Sequence, residues 1–205
     1  RKGPRKTGPW CWKGKGGRML QRCVVTSSPD QGPARLAEWR AERVREGLDG
    51  CLVPGADANQ GEYVAPCDER LAWLTGFTGS AGFCAVLADR AGVFIDGRYT
   101  VQVRGQVDLD HFLPVDWPAT QLGPWLADML PEGSVGFDPW LHTVREIKAL
   151  RSVLDVKGIH LKTTANLVDR IWDDRPARPD APFIAYPDKL AGEGAAAKRA
   201  RLSKG

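Results

Sequence analysis

Long apolar runs are missing from this sequence of 205 residues. A membrane-spanning helix needs about 20 consecutive, mostly apolar residues, so the sequence excludes a transmembrane protein and predicts no membrane partner. Hydrophobic residues make up 42% and charged residues 26%, a balance that excludes wholesale disorder and supports a sizeable core. The length fits one domain, or one domain and the start of another.

Acidic residues are missing before Asp30, whereas eight basic residues precede Pro29. The chain has 29 basic residues in all, so the part after the first 28 positions contains 21 basic and 25 acidic residues and has a net charge of −4. This mildly acidic remainder argues against a nucleic-acid-binding fold, which carries its positive charge on a folded face. We interpret residues 1–32 as a basic tail, disordered or not native to the protein, because Met19 follows its most basic part. The alternative is an arm for nucleic acid or an anionic surface.

Paired cysteines and clustered histidines are also missing. The five cysteines are widely spaced without a CxxC pair, which excludes a disulfide framework and a zinc knuckle and indicates a reducing cytoplasm. The three histidines stand alone, and none has metal-ligand spacing. We interpret His160, in a short apolar segment, as a satisfied structural histidine. The residues alone therefore predict neither a metal ligand nor a self-sufficient catalytic site in this chain.

Hydrophobic periodicity predicts an α/β fold in which helices flank a mixed β-sheet. The first helix is expected to bury Leu36, Trp39, Val44 and Leu48. The last strong helix is expected to begin at an N-cap, Thr143, and to bury Val144, Ile147 and Leu154. The predicted helices are 34–47, 68–74, 99–107, 122–130 and 143–156, and the predicted strands are 51–53, 82–87, 93–95, 112–115, 135–137 and 159–161.

The composition changes near Asn166. Three prolines in residues 173–182 exclude a regular helix or strand there, and residues 194–202 have a helical pattern. We therefore expect the domain over residues 33–165, a helix and proline-rich linker over 166–182, and the beginning of a truncated second domain over 183–205.

Three motifs could carry chemistry. Glycines recur in Thr75–Phe83, but the segment is neither a P-loop nor a GxSxG elbow, so we interpret it as a tight turn feeding a buried strand. Arg98 follows an Asp-Gly turn at the end of a strand, where it could meet an anion or pair with a neighbouring side chain. The adjacent Asp173 and Asp174 could be acid–base carboxylates, but capping and ion pairing are favoured.

The same segments resemble a known family. Gln60–Gly82 (QGEYVAPCDERLAWLTGFTGSAG), Asp96–Tyr99 (DGRY), Gly136–Trp140 (GFDPW) and Asn166–Trp172 (NLVDRIW) occur in the order found in the N-terminal domain of Xaa-Pro aminopeptidases. The sequence is similar in particular to the three-domain cytosolic branch of that family.

The resemblance implies a creatinase/prolidase-type N-terminal domain with a ribonuclease-H-like arrangement. The family's hydrolytic site is a separate C-terminal domain that holds two divalent metals, commonly manganese, and none of its ligands matches a position here. This chain is thus expected to contain no catalytic residue, no metal ligand and no cofactor of its own, and to be inactive alone.

The resemblance also implies a role for Arg98, which would contact bound peptide at the mouth of the active site. Proline-containing peptides would reach the site through the intact enzyme, and a cytoplasmic homodimer is expected, with no nucleic-acid partner. The alternative is a stand-alone interaction module of the same fold.

Overall fold

Six strands form one mixed sheet in the computed structural model, which describes residues 27–204. Most of the predicted basic tail lies outside the described residues. The strand order is β4-β3-β2-β1-β5-β6. The strands are β1 (Gly50–Pro54), β2 (Gly82–Leu87), β3 (Ala91–Ile95), β4 (Leu113–Asp116), β5 (Gly133–Phe137) and β6 (Ile159–Thr163).

Helices cover both faces of this sheet, so the predicted α/β class with a mixed sheet is confirmed. The helices are α1 (Gly32–Arg45), α2 (Arg70–Thr75), α3 (Thr100–Gln106), α4 (Leu122–Met129), α5 (Val144–Leu154), α6 (Leu167–Ile171), α7 (Asp188–Ala191) and α8 (Ala195–Leu202). Short 3-10 turns at 29–31, 66–68, 97–99 and 155–157 complete the described elements.

Side-chain alternation along the strands divides the interior into two cores. Cys51 and Val53 of β1 point into the core beneath α1, α2, α3 and α6, whereas Leu52 points into the core beneath α4 and α5. Trp39 and Phe77 are large buried side chains of the first core, and Trp125 belongs to the second. Both faces of the sheet are therefore buried, as apolar strands without polar alternation require.

The three described cysteines are buried thiols without a disulfide. Burial raises the pKa of the Cys51 thiol to about 12 and also raises the pKa of Cys84. Since the thiolate is the reactive form, these residues act as small apolar core side chains.

Strand direction gives the sheet one distinctive edge. β1 is parallel to β5, β5 to β6, and β3 to β4, whereas β2 is antiparallel to both of its neighbours. Five strands consequently end at the same side, where β2 begins. We call this side the carboxyl edge; it collects the loops 55–65, 76–81, 96–99, 117–121 and 138–143.

Most of the predicted elements are confirmed, including the N-cap at Thr143, which forms a reciprocal capping box with Glu146. Two burial predictions were wrong. Val44 is 65% exposed, because five residues beyond Trp39 correspond to a rotation of about 140° around the helix. Val144 is 72% exposed, because the buried positions of α5 begin one turn later.

His160, interpreted from the sequence as a satisfied structural histidine, lies at the surface and not in the core. Its side chain is 65% exposed and lies 3.5 Å from Asp155. The alternation of β6 turns it to solvent between the buried Ile159 and Leu161.

No helix within residues 27–204 combines the length and the apolarity needed to cross a bilayer.

Candidate functional site

Exposed aromatic side chains mark the carboxyl edge. Within residues 27–172, the large aromatic side chains with substantial solvent exposure are Tyr63, Trp117 and Trp140, at 91%, 41% and 78%. They follow β1, β4 and β5, so all three lie at this edge. Single exposed apolar residues are ordinary, but several on one side indicate a surface that meets another molecule.

The glycine-rich loop forms the middle of the edge. Gly76 ends α2 with a φ of 84°, a left-handed conformation that favours glycine. Gly79 and Gly82 lie directly against the Phe77 ring, and a Cβ at Gly79 would stand 2.3 Å from Cζ of that ring. The predicted tight turn feeding a buried strand is confirmed, and the glycines are explained by the close approach of backbone to an aromatic ring.

Polar contacts hold this loop to α3 and to the turn before it. The Gln106 side chain accepts from the Thr78 amide at 3.0 Å and donates to its hydroxyl at 2.7 Å. The Ser80 and Tyr99 hydroxyls are 2.7 Å apart. Among the described hydrogen bonds, none joins Ser80 to a histidine, so the arrangement is that of a shaped wall and not of an activated nucleophile.

Arg98 lies beside this wall and is held by its own turn. The Asp96 carboxylate accepts from the Arg98 amide at 2.9 Å and from its guanidinium Nε and Nη2 at 3.0 and 2.6 Å. Hydrogen bonding by Arg98 lowers the pKa of Asp96. The pair uses Nε and Nη2 and not Nη1, and the Arg98 side chain is 65% exposed. The predicted pairing of Arg98 with a neighbouring side chain is therefore confirmed, and its contact with an anion stays a prediction.

A cavity of about 240 Å³ lies between the glycine-rich loop and the segment after β1. Its floor includes Leu71 and Phe77, and its rim includes Glu62, Tyr63 and Ser80. The Glu62 carboxylate contributes to a raised pKa of Arg98, after the larger effects of Asp96 and Tyr99. The cavity and the arginine thus belong to one local surface.

Gln60 connects two loops of the edge. Its φ is 56°, a strained value for a residue with a side chain. The side-chain amide donates to the carbonyl of Leu141, after β5, at 3.0 Å and to that of Asp57 at 3.3 Å. The hydrogen bond to Leu141 anchors the start of the segment that carries Glu62 and Tyr63. Sequence reasoning assigned Gln60 no role, because its partner is 81 positions away.

The predicted carboxylate pair does not line the cavity beside the glycine-rich loop and the segment after β1. Asp173 and Asp174 follow α6, and neither forms an ion pair within the described residues. Burial lowers the pKa of Arg35, and the nearby Asp174 carboxylate partly offsets this effect. Arg35 and Asp174 line a second cavity of about 290 Å³ together with Gly76 and Thr78 of the glycine-rich loop, and no acid–base role of the pair follows from this placement.

Metal-ligating residues are not brought together in the described part of the chain. Residues 27–204 contain no group of three or more His, Cys, Asp or Glu side chains placed to hold an ion. The residues present do not fit a two-metal centre, which needs several carboxylate and imidazole ligands around each ion.

Comparison with known proteins identifies the fold. Residues 35–171 match the profile of the creatinase/prolidase N-terminal domain. The chain belongs to the creatinase/prolidase N-terminal domain family. The matched residues include the glycine-rich loop, the Asp-Gly-Arg-Tyr turn and the loops of the carboxyl edge.

Full-length relatives of this domain are Xaa-Pro aminopeptidases. The chain is 40% identical over 167 residues to a probable Xaa-Pro aminopeptidase P of Pyrenophora teres f. teres, covering 78% of this chain and 25% of the relative. It is 36% identical over 160 residues to Xaa-Pro aminopeptidase 2 of Homo sapiens, covering 77% of this chain and 24% of the relative. The chain therefore spans about a quarter of the length of these relatives.

Solved structures of related peptidases have a fold similar to that of this chain. An X-prolyl aminopeptidase from Caenorhabditis elegans, described as a cytosolic enzyme with a di-nuclear active site, superposes with a TM-score of 0.73 at 28% identity, covering 84% of this chain and 30% of that one. The N-terminal domain of the cytoplasmic peptidase PepQ of Mycobacterium tuberculosis gives 0.53 at 29% identity, covering 67% and 98%.

The packing of the glycine-rich loop gives a first prediction. Gly79→Ala places a methyl group against Phe77 and within 2.9 Å of the Tyr99 ring, so we expect it to lower the free energy of unfolding by about 1–3 kcal/mol. Gly105→Ala in α3 is the control, because a Cβ there meets nothing within 4 Å. Urea unfolding followed by tryptophan fluorescence measures both variants. Equal stability of the two alanine variants would contradict the packing described for the loop.

Proposed function

We propose that this chain is the N-terminal, non-catalytic portion of a metal-dependent Xaa-Pro aminopeptidase, an enzyme that removes the residue preceding proline from the N-terminus of a peptide. The carrying observation is that the chain matches about a quarter of such enzymes and consists mainly of their creatinase/prolidase N-terminal domain. The C. elegans enzyme is described as di-nuclear. In this proposal two divalent metals, with manganese the first choice, are held by another part of the intact protein.

The carboxyl edge would form the wall through which peptide reaches that metal centre. Its exposed aromatics, its cavity and Arg98 lie on one side of the sheet, and the opposite ends of the strands carry no comparable aromatic surface within residues 27–172. A shaped wall of this kind would limit the access of long peptides to the metal centre. Because the described residues do not fit a metal pair, they would contribute binding and orientation and no chemical step.

Arg98 would bind substrate. A guanidinium can donate two hydrogen bonds to a carboxylate or a peptide carbonyl, and Asp96 fixes its position before a ligand arrives, which lowers the entropy lost on binding.

The proposal places the whole enzyme in the cytoplasm as a homodimer, with this domain contributing to the dimer contact. Residues 183–205, which include α7 and α8, would begin the second domain, since neither helix buries a residue.

Activity of the isolated chain tests the proposal. The purified 205-residue protein, incubated with Mn²⁺ and an Xaa-Pro dipeptide, is expected to release no product, because the described residues do not fit a metal pair. A complete Xaa-Pro aminopeptidase under the same conditions is the positive control. Robust turnover by this chain would refute the assignment of chemistry to another part of the enzyme.

The role of Arg98 is tested by peptide binding to the same chain. Titration of a proline-containing tripeptide, followed by NMR of the arginine Nε–H signals, is expected to shift Arg98 in a saturable way. Arg98→Ala should weaken this binding several-fold, since a charged donor to the peptide is lost.

Arg90 is a matched control for that experiment. It pairs with Asp89 through Nε and Nη2, as Arg98 pairs with Asp96, but it lies in the β2–β3 turn at the opposite edge. Arg90→Ala should leave the affinity unchanged. Equal losses from the two variants would show a nonspecific charge effect and contradict the role of Arg98.

A stand-alone interaction module of the same fold is the second candidate, favoured by the exposed Phe183, Ile184 and Tyr186, which would be covered by a partner. The reading frame of the transcript after the codon for Gly205 distinguishes the two functions. A reading frame that continues into a domain with metal ligands supports the peptidase, and a stop codon directly after Gly205 supports the module.

A further inference from the structure

Residues 167–175 are bound to the domain, although the sequence predicts a proline-rich linker that already includes residues 173–175. Leu167 and Val168 of α6 are buried in the first core, and Trp172 is 8% exposed. No described helix or strand follows until α7. The chain therefore leaves the domain only after Arg175, the last residue of this segment with a described hydrogen bond or ion pair to the domain.

Four charged side chains form a closed network at this point. Arg70 donates to both carboxylate oxygens of Asp169 at 2.6 and 3.0 Å and lies 3.1 Å from Asp68. Arg175 contacts the same two partners, Asp169 at 2.8 Å and Asp68 at 3.0 Å, and its Nε donates to the carbonyl of Cys67 at 2.6 Å. Each arginine thus bridges both aspartates.

This network is shielded from water. The side chain of Arg70 is 6% exposed, and those of Asp68, Arg175 and Asp169 are 21%, 24% and 29% exposed. Burial by itself lowers the pKa of Arg70, but its hydrogen bonds and charge contacts with Asp169 and Asp68 raise it overall. Since partly buried pairs are screened much less than surface pairs, loss of one member leaves the others poorly compensated.

Aromatic stacking joins the same segment to the domain. The Trp73 and Trp172 rings stack with centroids 5.3 Å apart and planes inclined by 22°. Arg35 of α1 lies 4.4 Å from the Trp73 ring, and Arg175 lies 6.0 Å from the Trp172 ring. The four side chains form one column that runs from α1 to the point where the chain leaves.

Helix α2 connects this arrangement to the carboxyl edge. It carries Arg70 and Trp73, and it runs directly into the glycine-rich loop. The Gly76 amide donates to Ala72 at 2.8 Å, and the Phe77 amide donates to the Thr75 hydroxyl at 3.0 Å. A shift of this short helix must therefore move the loop that walls the cavity.

We propose that Arg175 is a positioning residue: together with Asp68, Arg70, Asp169 and the Trp73–Trp172 stack it forms an exit latch that holds the departing chain on α2 and thereby sets the position of the glycine-rich loop. The latch couples the direction in which the chain leaves the domain to the shape of the carboxyl edge. The inference concerns this domain alone and does not depend on the proposed peptidase function.

Hydrogen exchange on the 205-residue chain tests the latch without peptide or metal. Arg175→Ala is expected to speed amide exchange about tenfold or more both in residues 167–175 and in the loop 76–82, because the local opening free energy falls in both. Amides of α5 and β6, on the other core, should keep their rates. Arg175→Lys should have an intermediate effect, since an ammonium keeps the charge but cannot bridge three acceptors in the guanidinium plane.

Arg178→Ala is the matched control, because Arg178 has no described ion pair or hydrogen bond and lies three residues further along the same segment. It should exchange like the wild type. Faster exchange confined to residues 167–175 would overturn the coupling to the loop. Uniformly faster exchange throughout the domain, or no change at all, would overturn the latch itself.

Discussion

Two arginines shared between two aspartates connect parts of the chain that are about a hundred residues apart. Arg70 lies on α2, which leads into the glycine-rich loop, and Arg175 lies where the chain leaves the domain. Their carboxylate partners, Asp68 and Asp169, are partly buried, so the attraction is stronger than that of a surface pair. Helix α2 has six residues and is too short to be stable by its own hydrogen bonds, so it depends on this network and on the burial of Leu71 and Leu74 in the first core.

The glycine-rich loop that follows α2 lies at the carboxyl edge. Five strands end there and β2 begins there, so the loops that carry chemistry-bearing side chains are gathered by strand direction alone. In open α/β sheets this is the side where ligands bind. The edge presents Arg98, the cavity beside Phe77 and exposed aromatics. It lacks the clustered donors of a metal centre within residues 27–204.

Local sequence patterns were sufficient for the elements of the fold. The β2 bounds and the N-cap at Thr143 could be predicted, because apolar runs, glycines and caps act within a few residues. Burial of Val44 was predicted wrongly, because an apolar side chain can fall on the outer face of a helix. The roles of Gln60 and Arg175 could not be predicted, since each depends on a partner that is distant in sequence and brought near only by the folded sheet.

A double-mutant cycle between Asp169 and Arg175 tests the central claim most directly. Asp169→Ala, Arg175→Ala and the double variant would be compared by thermal and urea unfolding of the 205-residue chain. If the two side chains stabilise the domain through each other, their coupling energy is about 1 kcal/mol or more, and the second substitution costs less after the first than it does alone. A coupling energy near zero, with fully additive losses, would contradict the account.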